Sequence, residues 1–137
     1  MKKREPVSKI MTSDVITLNH TDNLETAEQL FKEKNIRHIP VVSGKSIIGM
    51  LSLTDLLRIS FTDSTTEGNV DTSVYKMFTL EQVMAKKVVS VSSDTTIKEA
   101  AEILSSKEFH ALPVVDNGEL TGIATTTDMI NYLIDQY

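Results

Sequence analysis

The sequence predicts an α/β fold, mixed α+β in character, made of two β-α-β-β-α repeats packed with pseudo-two-fold symmetry. Three observations predict it. The chain matches itself at an offset of 73 positions, so that Val7 to Leu57 aligns with Leu80 to Ile130 without a gap. Each copy alternates β-branched runs with amphipathic stretches of helical period. Each copy is also too short to bury an adequate core alone, which two packed copies would remedy.

Ten of the 51 aligned positions are identical: Met11/Met84, Val15/Val88, Ala27/Ala100, Lys34/Lys107, Pro40/Pro113, Val41/Val114, Val42/Val115, Gly49/Gly122, Thr54/Thr127 and Asp55/Asp128. Similarity running ungapped through strands, turns and helices reads as a duplication. The expected divisions are a first repeat over residues 1–60, a linker over 61–79 and a second repeat over 80–137. Residues 60–69 are polar and lack periodicity, as a linker should.

The elements follow in the same order in both copies. Val15–Leu18 and Val88–Val91 are rich in β-branched residues and predict a first strand. A helix follows, with Leu24, Ala27, Leu30 and Phe31 on one face, and Ile97, Ala100, Ile103 and Leu104 in the second copy. Asp22 with Glu25, and Thr96 with Glu99, have capping-box spacing at its start. His38–Val42 and Ala111–Val115 predict the next strand. Turns are expected at Ser43-Gly44-Lys45 and at Asp116-Asn117-Gly118, where Asn-Gly is a strong hairpin signal. The third strand holds Gly49 or Gly122, and a last helix begins near Thr54-Asp55 or Thr127-Asp128. Between the repeats, Val74, Tyr75, Met77 and Phe78 precede Thr79–Gln82, a further capping-box pattern opening a short helix.

Composition narrows the function. An apolar fraction of 40% and a charged fraction of 24% are those of an ordinary soluble globular protein. With no cysteine, neither a disulfide framework nor a thiolate zinc site is available. The net charge of −5 and the lack of a basic block argue against nucleic-acid binding. The first residues, MKKREPVSKIM, have no apolar run of the kind a secretory signal needs, and no run approaches the length of a membrane span. A cytoplasmic protein is expected, with no membrane partner. There is no H-E-x-x-H, nucleophile elbow, dinucleotide fingerprint or P-loop, so no enzyme, metal site or catalytic cofactor is expected. His20 falls in a polar turn, and Lys32, Glu33 and Lys34 read as a solvated helix face.

The chemistry sits in one duplicated motif. Gly49-Met-Leu-Ser52-Leu-Thr54-Asp55 is repeated as Gly122-Ile-Ala-Thr125-Thr-Thr127-Asp128. Each reads as a strand, a hydroxyl residue, then an Asp at a helix start. Such a carboxylate can accept two hydrogen bonds from a vicinal diol such as a ribose, and a helix N-terminus suits an anion. Glycine allows a ligand or a neighbouring backbone to approach closely. In a single copy the plainer interpretation, an Asp that merely caps a helix, would be preferred. Two copies at identical spacing, each joined to a Pro-Val-Val strand, reverse that preference.

The paired motif, with the Pro-Val-Val strands before it, resembles a tandem pair of CBS domains, often called a Bateman module. Similar repeats occur in the AMP-activated kinase gamma subunit, inosine monophosphate dehydrogenase and chloride-channel tails. The resemblance implies two composite clefts binding AMP, ADP, ATP or S-adenosylmethionine. One cleft would combine Asp55, Thr54 and Ser52 with Val89, Phe109 and His110. The other would combine Asp128, Thr127 and Thr125 with Ile16, Ile36, Arg37 and His38. Arg37, His38 and His110 stand where family members that bind phosphates place basic groups, whereas Ala111 replaces His38 in the second copy, so the clefts should differ in charge. The function implied is a regulatory module sensing an adenosine compound on behalf of an unidentified protein; the alternative is a ligand-free dimerisation or docking module. A homodimer is expected, joined through the apolar helical residues Leu56, Leu57, Ile59, Met129, Ile130, Leu133 and Ile134.

Overall fold

A computed structural model describes residues 4–62, 72–106 and 110–137. Its elements are β1 (Leu18–Asn19), α1 (Leu24–Lys34), β2 (His38–Ser43), β3 (Ser46–Ser52), α2 (Leu53–Thr62), α3 (Leu80–Val83), α4 (Ile97–Ser106), β4 (Ala111–Asp116), β5 (Glu119–Thr125) and α5 (Thr126–Asp135). Short 3-10 turns cover Val7–Lys9 and Thr72–Met77. The mixed α/β class and the repeated order of elements agree with the sequence. The chain groups into two compact units: Ile16–Val88, and Met1–Val15 together with Val89–Tyr137.

In the Ile16–Val88 unit, β1 lies parallel to β2, and β2 pairs antiparallel with β3. The run Val15–Leu18 yields only a two-residue strand, because parallel pairing begins where Leu18 meets Val41. Leu18, Leu24, Ala27, Ile39, Val41, Leu51, Leu56 and Leu80 are buried together in one core. Asn23, not Asp22, caps α1: its side chain accepts from the Thr26 N–H at 2.8 Å. Asp22 instead accepts from the Asn19 N–H at 2.8 Å, within the turn before the helix. Asn35 ends α1 in the left-handed region, φ 53°, which Asn tolerates better than most residues.

The unit of Met1–Val15 with Val89–Tyr137 repeats the plan. β4 pairs antiparallel with β5, and Val91 forms a single parallel bridge with Val114 where the other unit has β1. The expected strand Val88–Val91 is reduced to that bridge. Thr96 and Glu99 form the expected capping box, the Glu99 N–H donating to Thr96 Oγ1 at 3.0 Å. Thr79 and Gln82 do the same at α3 in the other unit. Asn117 and Gly118 both have positive φ, 52° and 80°, as a two-residue type I′ hairpin requires.

The segments leading each sequence repeat settle in the opposite place from their own strands. Residues 4–12 belong to the unit of β4 and β5. There Val7 is fully buried beside Val91, Leu112, Val114 and Ala124, and Thr12 exchanges two backbone hydrogen bonds with Ile123 at 2.8 and 2.9 Å. Residues 79–85 belong to the unit of β2 and β3. There Leu80 is fully buried, and Ala85 exchanges two bonds with Met50 at 2.9 and 3.0 Å. Each hairpin thereby gains a one-residue partner along the edge of β3 or β5. The arrangement also explains the prolines. Met50 turns its N–H and carbonyl toward Ala85, so its cross-strand neighbour Pro40 occupies a position that owes β3 no hydrogen bond. Pro113 is placed likewise opposite Ile123.

Gly49 and Gly122 answer to the same packing. A Cβ on Gly49 would lie 2.9 Å from Met84 Cγ and closer still to its sulfur; one on Gly122 would lie 2.6 Å from Met11 Sδ and 3.0 Å from the Thr12 carbonyl oxygen. The glycines therefore admit a methionine from the leading segment. Gly49→Ala is expected to cost about 1–3 kcal/mol, as overpacking does. The double variant Gly49→Ala/Met84→Ala should be less destabilised than the sum of the two single ones, measured by urea denaturation. Strict additivity would show that the pair does not interlock.

Among the residues expected to join two copies, Leu56 is instead in the core at 1% exposure, and Ile59 and Met129 pack against their units' cores. Leu57, Ile130, Leu133 and Ile134 are exposed.

Candidate functional site

In both motifs the third strand runs into a helix through a reciprocal cap. The Asp55 N–H donates to Ser52 Oγ at 3.0 Å, and the Ser52 N–H donates to Asp55 Oδ2 at 3.2 Å. The Asp128 N–H donates to Thr125 Oγ1 at 3.1 Å, and the Thr125 N–H donates to Asp128 Oδ2 at 3.0 Å. The hydroxyl residue is thus the cap, and the Asp stands three positions on, closing a capping box with Asp in the place usually held by Glu or Gln. Both carboxylates are half-buried and held in one orientation by the backbone. One oxygen of each accepts from a backbone N–H.

The strand before each motif is tied to it. The Leu53 N–H donates to the Arg37 carbonyl at 2.9 Å, and His38 pairs across the ladder with Ser52. The Thr126 N–H donates to the His110 carbonyl at 3.0 Å, and Ala111 pairs with Thr125. This brings Arg37 and His38 beside Ser52, Thr54 and Asp55, and brings His110 beside Thr125, Thr127 and Asp128. Thr54 and Thr127 are exposed in the first helical turn, where a helix leaves N–H groups without intrahelical acceptors. Ile16 and Ile36 are half-buried in the first of these units, and Ile36 packs against its core. Val89 is 40% exposed in the second. Phe109 lies outside the described residues.

Two features escaped the sequence reading. Arg58 Nη1 lies 3.5 Å from Asp55 Oδ1, an ion pair legible in principle from its i,i+3 spacing. The other is an acidic anchor in the second unit. Asp116 Oδ1 accepts from the Ser93 N–H at 3.0 Å, and Thr121 Oγ1 donates to Asp116 Oδ2 at 3.2 Å. The Ser93 bond lowers the Asp116 pKa below its ordinary value, outweighing the opposing effect of burial. It steadies the segment that carries Val89 and Val91. A carboxylate with a depressed folded pKa stabilises above its unfolded pKa and loses that contribution as pH falls through the folded value. Wild type should therefore have a higher urea midpoint than Asp116→Asn near neutrality, and the gap should close as pH falls below about 4. A gap independent of pH would contradict this.

Among the described residues no group of three or more His, Asp or Glu side chains is placed to hold a metal ion. No described helix is long and apolar enough to cross a membrane.

Comparison with known proteins gives concordant findings. The CBS-domain family model matches residues 7–61 and again 80–135. Homoserine O-acetyltransferase of Methanohalobium evestigatum is 32% identical over 133 residues, 96% of this chain but 24% of that protein. The chain spans between a quarter and under half of the first curated relatives it matches. Among solved structures, a Vibrio cholerae protein proposed to act in acetoin utilization superposes with a TM-score of 0.81 at 30% identity, covering 96% of this chain and 91% of that one. CBSX2 in complex with AMP gives 0.81 at 23% identity, covering 96% and 98%. The CBS domain pair of protein MJ0100, in complex with 5′-methylthioadenosine and S-adenosylmethionine, gives 0.76 at 21% identity, covering 93% and 98%.

Proposed function

The chain belongs to the CBS-domain family, as a tandem pair, and from that premise we propose that it is a regulatory module sensing an adenosine compound. The observation that carries the proposal is the duplicated carboxylate. Asp55 and Asp128 are both half-buried, and both are fixed by the same two backbone bonds. A carboxylate held rigidly has already lost the freedom that diol binding would otherwise cost. Related folds crystallised with AMP, with 5′-methylthioadenosine and with S-adenosylmethionine support an adenosine ligand. In the proposed arrangement the ribose diol binds Asp55 or Asp128. Ser52 or Thr125, with Arg37, His38 and His110, serve the phosphate or carboxylate end. Each site is composite: Asp55, Thr54 and Ser52 act with Val89, Phe109 and His110, and Asp128, Thr127 and Thr125 act with Ile16, Ile36, Arg37 and His38. The proposal sets the module in the cytoplasm, with which the absence of cysteine is compatible.

The test is a thermal-shift screen with AMP, ADP, ATP, S-adenosylmethionine and NADH. A ligand at 100 times its dissociation constant adds about 2.7 kcal/mol to stability, and at least one adenosine compound should raise the melting temperature clearly. No shift with any of them at millimolar concentration would leave the second reading, a docking module. That reading draws on the exposed Leu57, Ile130, Leu133 and Ile134. These same side chains are proposed to join two copies, and a light-scattering mass of one chain at tens of micromolar would count against the dimer.

A further inference from the structure

The two carboxylates are alike in how the backbone holds them and unlike in what else reaches them. Asp55 Oδ1 lies 3.5 Å from the Arg58 guanidinium, across the first turn of α2. Three positions after Asp128 stands Asn131, which carries no charge. Among the described residues no cation lies within ion-pair distance of Asp128. Among the described residues, then, an ion pair forms at one copy of the motif and not at the other.

We propose that Arg58 ranks the two motifs, so that a ribose diol loads at Asp128 more readily than the same motif would allow at Asp55. The inference rests on the ribose reading above and adds the residue that sets the order of occupancy. A diol offers two O–H donors and uses a carboxylate best when both oxygens can accept. At each Asp one oxygen already accepts from the cap N–H, which leaves the second as the more available acceptor. At Asp128 no described residue brings a cation within ion-pair distance of that oxygen. At Asp55 it faces Arg58, whose guanidinium must be displaced or shared before the diol can take its place. The Arg58 side chain is 71% exposed and that of Asp55 20% exposed, so the pair is solvated and its competition is modest. An exposed pair of this kind weakens a competing ligand about two- to fivefold. Salt screens such a pair, so the penalty shrinks as ionic strength rises.

Other residues also differ between the motifs, so the affinity ratio in wild type does not isolate Arg58. Exchanging the two i+3 residues does. The full chain is compared with Arg58→Asn and Asn131→Arg. Carboxylates are labelled with a water-soluble carbodiimide and glycinamide, and labelling at Asp55 and Asp128 is read separately by peptide mass spectrometry. Protection is measured against adenosine, which is neutral, so that Arg58 can compete for Asp55 but gains no phosphate to attract.

The expected result is that Arg58→Asn lowers the half-protecting adenosine concentration at Asp55 about two- to fivefold and leaves Asp128 unchanged. Asn131→Arg should raise it at Asp128 by a similar factor. Both shifts should narrow between about 50 and 500 mM NaCl. If Arg58→Asn leaves Asp55 unchanged, or moves both carboxylates alike, the ranking is wrong while the ribose reading stands. If adenosine at millimolar concentration protects neither carboxylate in any of the three proteins, the ribose reading itself fails and takes the ranking with it. Circular dichroism melts establish that each variant is folded, which the exposure of Arg58 favours.

Discussion

Removal of residues 1–12 is expected to unfold the part of the chain formed by residues 89–137, far along the sequence from the cut. Val7 is fully buried in the core of that unit, with Ile10 and Met11 packed against it. Burying a Val side chain contributes about 1.5–3 kcal/mol. The deletion also strips backbone partners from Ser93, Thr95, Ile97 and Ile123, and each such hydrogen bond contributes about 0.5–1.5 kcal/mol net. Together these are comparable with the roughly 5–15 kcal/mol that holds a typical domain folded. Hydrogen exchange should show protection lost at Leu112, Val114 and Ala124 before Ile39, Val41 and Leu51, whose core draws on Leu80 and Met84 instead. Retained protection at Val114 in the deletion variant would show that the leading segment is dispensable.

The second large effect concerns the ligand. Asp55→Asn and Asp128→Asn should each weaken an adenosine compound roughly 10- to 100-fold at one site, since a charge-assisted hydrogen bond contributes about 1.5–3 kcal/mol. Asn is chosen because it keeps an oxygen to accept the cap N–H of Ser52 or Thr125, which Ala would leave unpaired at a cost in stability. Calorimetric titration of each variant, and of the double variant, reads the effect. A folded double variant that binds as tightly as wild type would remove the carboxylates from the ribose role.

Much of the fold was legible because the duplication supplies two readings of one pattern. Thr96–Glu99 and Thr79–Gln82 announced their capping boxes, and Asn117-Gly118 its hairpin. The error at α1 was local. Asp22 and Glu25 have the right spacing, yet the duplication aligns Thr96 with Asn23, and Asn23 is the cap. The first strands were overread, because in Val15–Leu18 and Val88–Val91 only the last residue, Leu18 or Val91, is buried and paired, and the β-branched residues before it join no ladder. Leu56 resembled surplus surface only because the sequence does not show which side of α2 meets the core. At the motif, residue types and spacing identified the hydroxyl and the carboxylate. Their reciprocal bonding, and the guanidinium on one of them, depend on side-chain orientation that spacing leaves open. The glycines were the deeper miss. A close approach was foreseen, but the approaching group is a methionine some 35 positions away in one case (84 − 49) and far upstream in the other.

That interlock constrains how the two halves of the sequence can change over generations. After most duplications each copy drifts by itself, because its contacts are its own. Here a substitution at Gly122 is felt by Met11, and one at Gly49 by Met84, so a change in either repeat is tolerated or rejected by a residue of the other. Compensating changes should pair position 11 with 122 and position 49 with 84 across related sequences, and not 11 with 49. A lone copy would inherit both a vacancy and a plug cut for a different vacancy, so selection acts on the pair as the smallest inheritable part.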